Sequence, residues 1–167
     1  MLNHSNIFFF KKKILIYGLG KSGLSVFKYL KKNNEITIHD DKIKIDYKKI
    51  TKIKFDYIII SPGIDINKCS LSKFLKNNSK KIYTDLDIFY NQHMENNKIT
   101  ITGTNGKSTT AKILYEALKD QNVDVRLVGN IGNPILLEKK VTNKTVFVIE
   151  ASSYQLEYSK LFKSNIS

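Results

Sequence analysis

Two rhythms of apolar and polar positions alternate along this chain. Short apolar runs bounded by glycine or polar turns read as buried strands. They are Lys13–Tyr17, Ile36–Ile38, Asp56–Ile60, Lys81–Tyr83, Lys98–Thr102, Val123–Val128 and Thr145–Ile149. Between them apolar residues recur at helical spacing. Leu24, Phe27 and Leu30 mark a helix over Ser22–Leu30, and Leu71, Phe74 and Leu75 mark one capped by Ser70. Leu86, Phe89 and Tyr90 share a face of Asp85–Gln92; Ala111, Leu114, Ala117 and Leu118 face inward from Lys107–Lys119. Strand and helix alternating throughout predict an α/β fold with parallel sheet. The periodicity lapses at Met94–Asn97, which predicts two domains, 1–95 and 96–167. The second has about three strands and one long helix, so a thin core and an unpaired or thinly covered edge on its last strand are expected.

Composition narrows the classes. Among 167 residues, 27 Lys and one Arg stand against 15 acidic groups, a net charge of +13. Base-reading surfaces favour the planar fork of arginine. With 23 Ile and 16 Asn beside the lysines, the charge reads as AT-rich compositional drift on a solvated surface, and no nucleic-acid partner is expected. A lone cysteine, Cys69, excludes a disulfide scaffold. His4, His39 and His93 lack metal-ligand spacing. No apolar run reaches the roughly 18 residues of a membrane span. Lysines follow rather than precede Ile7–Phe10, the wrong order for a secretory signal, so a cytoplasmic location is expected.

Candidate chemistry lies at strand ends. Gly18-Leu19-Gly20-Lys21-Ser22-Gly23 follows a strand and opens a helix: a tight turn, a close phosphate approach, then close helix–strand packing. Asp40 ends the next strand, 22 residues after Gly18, where an acid can bind a ribose. Thr102-Gly103-Thr104-Asn105-Gly106-Lys107-Ser108-Thr109 is a second phosphate loop with a shortened glycine spacing. Its backbone N–H groups can cradle phosphates, Lys107 can reach the outer ones, and Ser108 or Thr109 offers a hydroxyl to Mg²⁺. A lysine at a helix start is unfavourable without an anion. Gly129-Asn130-Ile131-Gly132-Asn133-Pro134 breaks a strand sharply, and Glu150 ends another where a carboxylate could ligate Mg²⁺. An NAD(P)-dependent oxidoreductase would explain residues 14–41 but not the second loop. A non-catalytic nucleotide-binding module is the other alternative.

In order, GLGKSG, Asp40-Asp41, Ser61-Pro62-Gly63-Ile64, Thr84–Phe89 (TDLDIF), GTNGKST, GNIG with Pro134, and EASSYQLE resemble the Mur ligase family. GTNGKST alone would also fit folylpolyglutamate synthase. The glycine loop with SPGI is similar to the branch that adds D-glutamate to UDP-N-acetylmuramoyl-L-alanine in peptidoglycan biosynthesis. The resemblance implies a Rossmann-like N-terminal domain followed by a truncated P-loop-type Mur ligase central domain. It implies substrate contacts at Gly20, Lys21, Ser22, Asp40, Asp41, Ser61, Asn130, Ser152 and Gln155. ATP would lie on Gly103, Thr104, Asn105, Gly106, Lys107, Ser108 and Thr109, and Mg²⁺ on Ser108 and Glu150. Lys107 and Glu150 would be catalytic in an ATP-dependent, acyl-phosphate ligation carried out by a monomer. Ala151 and Tyr154 replace the family's usual Leu and Phe. The chain stops before the family's downstream metal-site residues and D-glutamate domain, so an N-terminal piece, inactive alone, is expected.

Overall fold

The computed structural model describes residues 8–43 and 47–167; His4 and Ile7 lie outside the described residues. Among the described residues seven strands and six helices follow in the order β1 (Lys13–Tyr17), α1 (Lys21–Leu30), β2 (Glu35–His39), α2 (Tyr47–Ile50), β3 (Tyr57–Ile60), α3 (Ser72–Asn77), β4 (Ile82–Tyr83), α4 (Asp85–Gln92), β5 (Asn97–Ile101), α5 (Lys107–Asp120), β6 (Val125–Gly129), β7 (Val146–Glu150) and α6 (Ser153–Tyr158). The first four strands form one sheet in the order β2-β1-β3-β4, and the last three form another in the order β5-β7-β6. Every pairing is parallel.

Central strands of a parallel sheet are covered on both faces, so they carry unbroken apolar runs. In β1, Ile14, Leu15, Ile16 and Tyr17 are all buried. Their alternation sends Leu15 and Tyr17 to a core with Leu71 and Leu75. Ile14 and Ile16 join Val26, Leu30, Leu86 and Phe89 in a second core. That second core continues into the other sheet through Val128, Ile135, Phe147 and Ile149. Phe89 meets Phe147 edge to face at 4.8 Å. The two sheets therefore share one apolar layer. Helix α5 covers the remaining face of the second sheet with Ala111 against Val125 and Val148.

Four details depart from the sequence reading. In α1 the buried residues are Gly23, Ser25, Val26 and Leu30, while Leu24 is largely exposed. The cause is Gly23: a Cβ there would stand 1.8 Å from the Gly18 carbonyl oxygen, so the helix presses this face on the loop and turns Leu24 outward. Ser70 does not cap α3; Leu71 holds the N-cap position, and the Ser70 side chain is engaged by Asp41 and His39. Ala117 is exposed, because the face of α5 that packs on the sheet runs through Ala111, Leu114, Tyr115 and Leu118 and leaves Ala117 beside it. The last strand, β7, has no open edge: it is paired on both sides, between β5 and β6, and along the β5 edge the Thr100 N–H donates to the Ile166 carbonyl (2.9 Å) and the Asn165 N–H to the Lys98 carbonyl (2.9 Å).

Buried polar groups tie the two sheets together. Asp87 is fully buried; its Oδ2 accepts from the Thr84 N–H (2.8 Å), completing a capping box. Its Oδ1 accepts from the N–H groups of Lys160 (2.8 Å), Leu161 (2.7 Å) and Phe162 (3.2 Å). Lys98 is buried where the sheets meet, donating to the carbonyls of Met94 (3.0 Å) and Asn96. Burial pushes the Lys98 ammonium below its usual range, against a weaker opposing pull from Glu95.

Candidate functional site: a cavity between the glycine loop and the Gly129–Pro134 turn

The glycine loop leaves the carboxyl end of β1 and is braced from two sides. Asp40 Oδ2 accepts from the Leu19 N–H (2.7 Å), and its Oδ1 accepts from the Lys42 N–H (3.0 Å). These two backbone bonds hold its carboxyl below the usual aspartate range. Ser61, past the end of β3, donates to the Gly18 carbonyl at 2.8 Å. Gly20 faces open space, where a ligand can approach the backbone.

Asp41 is held by a cluster the sequence did not reveal. Its Oδ1 accepts from the Tyr17 and Ser70 hydroxyls, each at 2.6 Å. His39 Nε2 lies 3.4 Å from Oδ1 and 3.0 Å from the Ser70 hydroxyl. Burial alone would raise the Asp41 carboxyl, but the bonds from Ser70 and Tyr17 and the charge of His39 prevail and lower it. Burial and the bond to Asp41 push the Tyr17 hydroxyl far up. Serine and aspartate meet the same imidazole nitrogen. A nucleophile relay needs them on opposite nitrogens, so this cluster positions Asp41 rather than activating Ser70.

Lys21, Ser22, Asp40, Asp41, Lys42 and Ser61 line a cavity of about 440 Å³. Its far wall comes from the other sheet: Gly129, Asn130, Gly132 and Pro134. The sequence marked this segment as a sharp break but assigned only Asn130. The break is forced, since Gly129 has φ +106° and a Cβ there would lie 2.3 Å from the Glu150 carbonyl oxygen. The Asn130 N–H then donates to that same carbonyl at 3.0 Å. Lys42 had no signal in the sequence beyond its neighbours.

The second loop crosses from β5 to α5. Residues 102–106 are exposed, and Gly106 takes the left-handed conformation (φ +77°) that turns the chain into the helix. The Lys107 ammonium folds back on the loop, donating to the carbonyls of Gly103 (2.6 Å) and Thr104 (3.3 Å). Ser108 and Thr109 are exposed in the first turn of α5. A fourteen-residue helix that starts with a glycine loop and no acidic residue in its first turn is suited to an anion.

Glu150 ends β7, between Ile101 of β5 and Gly129 of β6. It is buried, and its Oε2 has no hydrogen-bond partner among the described residues. A buried, unsatisfied carboxylate oxygen next to a phosphate loop suits a cation carried in with phosphates. Among the described residues no three His, Cys, Asp or Glu side chains gather as a metal site. Ser152 and Gln155 form a capping box at the start of α6: Gln155 N–H to Ser152 Oγ (3.2 Å) and Ser152 N–H to Gln155 Oε1 (3.0 Å). The Gln155 side-chain amide donates to the buried Asp85 at 3.0 Å. The spacing Ser-x-x-Gln was visible in the sequence and could have announced α6.

Residues 101–166 match the Mur ligase middle domain. That match, with the loops and parallel sheets described above, shows that the second part of the chain carries a Mur ligase middle domain. Over 94% of its length it is 34% identical to the UDP-N-acetylmuramoylalanine–D-glutamate ligase of Rickettsia bellii, of which it covers 37%. The enzymes of that name from Caldicellulosiruptor saccharolyticus and Clostridioides difficile are each 34% identical over 92% and 93% of the chain, which covers 39% of each. The chain thus spans well under half the length of these relatives. A solved UDP-N-acetylmuramate:L-alanyl-γ-D-glutamyl-meso-diaminopimelate ligase from Neisseria meningitides gives a TM-score of 0.46 at 15% identity, over 85% of this chain and 52% of that one, a likeness too slight to argue from.

Proposed function

We propose that this chain supplies the UDP-substrate and ATP sites of a ligase that adds D-glutamate to UDP-N-acetylmuramoyl-L-alanine in peptidoglycan synthesis. The observation that carries this reading is the cavity walled on one side by the glycine loop and on the other by the Gly129–Pro134 turn. Residues 1–95 would bind the UDP end and residues 96–167 the ATP end. Lys21 and Ser22 would meet the diphosphate at the start of α1, where the helix dipole favours anions. Asp40 and Asp41 are acceptors held ionised, suited to hydroxyl and ring N–H donors of a nucleoside. Asn130 would face the sugar.

On the second loop, Lys107, Ser108 and Thr109 would hold ATP, and Ser108 and Glu150 would hold Mg²⁺. The exposed loop and the unsatisfied Glu150 oxygen fit that assignment. ATP would supply the phosphoryl group that converts the substrate carboxylate to an acyl phosphate, leaving ADP, and attack by the amine of D-glutamate would form the amide with loss of a proton and release of phosphate. Lys107 would leave its loop carbonyls to offset phosphate charge. The described residues contain no helix long and apolar enough to cross a membrane, and a cytoplasmic monomer without a nucleic-acid partner fits this chemistry. Calorimetry of the whole chain against UDP-N-acetylmuramoyl-L-alanine and against NAD⁺ tests the reading. Tighter binding of the UDP compound is expected; tighter binding of NAD⁺ would mean a dehydrogenase-type site.

A further inference from the structure

Asp85 begins α4 and is 2% exposed. A buried carboxylate must be hydrogen-bonded, and each partner then carries structural information. Here the partners come from both sides of the cavity. The Gln155 amide donates to its Oδ1 at 3.0 Å from α6, in the second half of the chain. Ser22, in the first turn of α1, and the Leu86 N–H of its own helix both act on the same carboxyl to lower it, against the pull of burial. Ser22 lines the cavity, whereas Gln155 does not. Gln155 is itself fixed by the capping box with Ser152, two residues beyond Glu150.

We propose that Asp85 is a positioning residue that couples the two loops. Through Ser22–Asp85–Gln155–Ser152 it sets the start of the glycine-loop helix relative to the strand end bearing Glu150. The inference rests on the functional reading above for its ligand but not for its geometry. A side chain outside the cavity, on the opposite unit, then controls the affinity of a ligand bound by the glycine loop. Burial raises the Asp85 carboxyl against the pull of Gln155 and Ser22, so the link is held by well-placed donors rather than by a charge in water.

The test uses the full 167-residue chain and UDP alone, which lacks the muramoyl group that Gln155 itself would touch. Asp85→Asn, Asp85→Ala, Gln155→Ala and the Asp85→Asn/Gln155→Ala double variant are compared by calorimetry and by amide exchange without ligand. Gln155→Ala is expected to weaken UDP about tenfold, with the double variant no weaker than the worse single one, as for residues acting in one network. Each of the three single variants should speed exchange at residues 19–23 and at 152–156 together. Asp85→Asn keeps the shape should Asp85→Ala fail to fold. Exchange that changes only beside the substituted residue, or unchanged UDP affinity in Gln155→Ala, overturns the coupling. If the unaltered chain does not bind UDP, the functional reading fails, and the exchange arm still decides whether Asp85 links the loops.

Discussion

The two glycine-bearing loops of this chain, at Gly18–Gly23 and Gly103–Lys107, are built to opposite plans. The glycine loop is anchored by side chains from other strands, Asp40 on the Leu19 N–H and Ser61 on the Gly18 carbonyl, with Gly23 pressed against that same carbonyl. The GTNGKST loop is exposed and braced by its own lysine, which donates to Gly103 and Thr104. The first is preformed, so a ligand has little loop ordering to pay for. The second must exchange internal bonds for bonds to its ligand. Substitutions in the first loop should therefore act on folding, and those in the second on binding.

Gly23→Ala gives the sharpest break. Its Cβ would meet backbone at 1.8 Å, which no side-chain motion relieves. A loss of about 3 kcal/mol or more is expected in urea unfolding, in line with severe overpacking. Gly20→Ala, with nothing within 4 Å, should stay within about 1 kcal/mol; equal losses would show that the loop is not clamped by close packing.

For the second loop the expectation reverses. Lys107→Ala should weaken ATP binding by about 2–3 kcal/mol, the scale of a charge-assisted bond to phosphate. Thermal unfolding without nucleotide should move little, because the lysine is replaced on exposed carbonyls by water. A large drop in stability with unchanged ATP affinity would mean that Lys107 is a structural brace.

Asp40→Ala should cost about 1–2 kcal/mol of stability by freeing two backbone N–H groups, and should weaken UDP as well. UDP affinity that survives this change would remove Asp40 from the site.

The smallest effect is a pH dependence. The folded Asp40 and Asp41 carboxyls lie below the ordinary aspartate value of 3.8. Their contribution to stability is complete above that value and is lost as pH falls through the folded ones. Asp85 works the other way: raised by burial, it stabilises the fold at low pH, and that contribution fades as pH rises through its folded value. Asp40→Asn should flatten the acid limb of a stability curve, and Asp85→Asn the limb above 3.8. A curve unchanged by either substitution would show that these carboxyls titrate alike in the folded and unfolded chains.

Both loops were legible because each is a local device: glycines at fixed spacing between a strand and a helix say where phosphate can approach the backbone. Apolar runs likewise announced all seven strands, since a buried parallel strand needs little beyond its own residues. The chain alone thus determined strand order along the sequence, the position of each loop, and Glu150 at a strand end. Tertiary structure decided what pairwise contact at long range controls. It rotated α1 about Gly23, took Ser70 from its helix to Asp41, placed residues 164–166 along β5, and buried Asp85 and Asp87 between the sheets. No local pattern distinguishes an aspartate that caps its own helix in water from one that also collects donors about 70 residues away, because that difference exists only once two surfaces have closed on it.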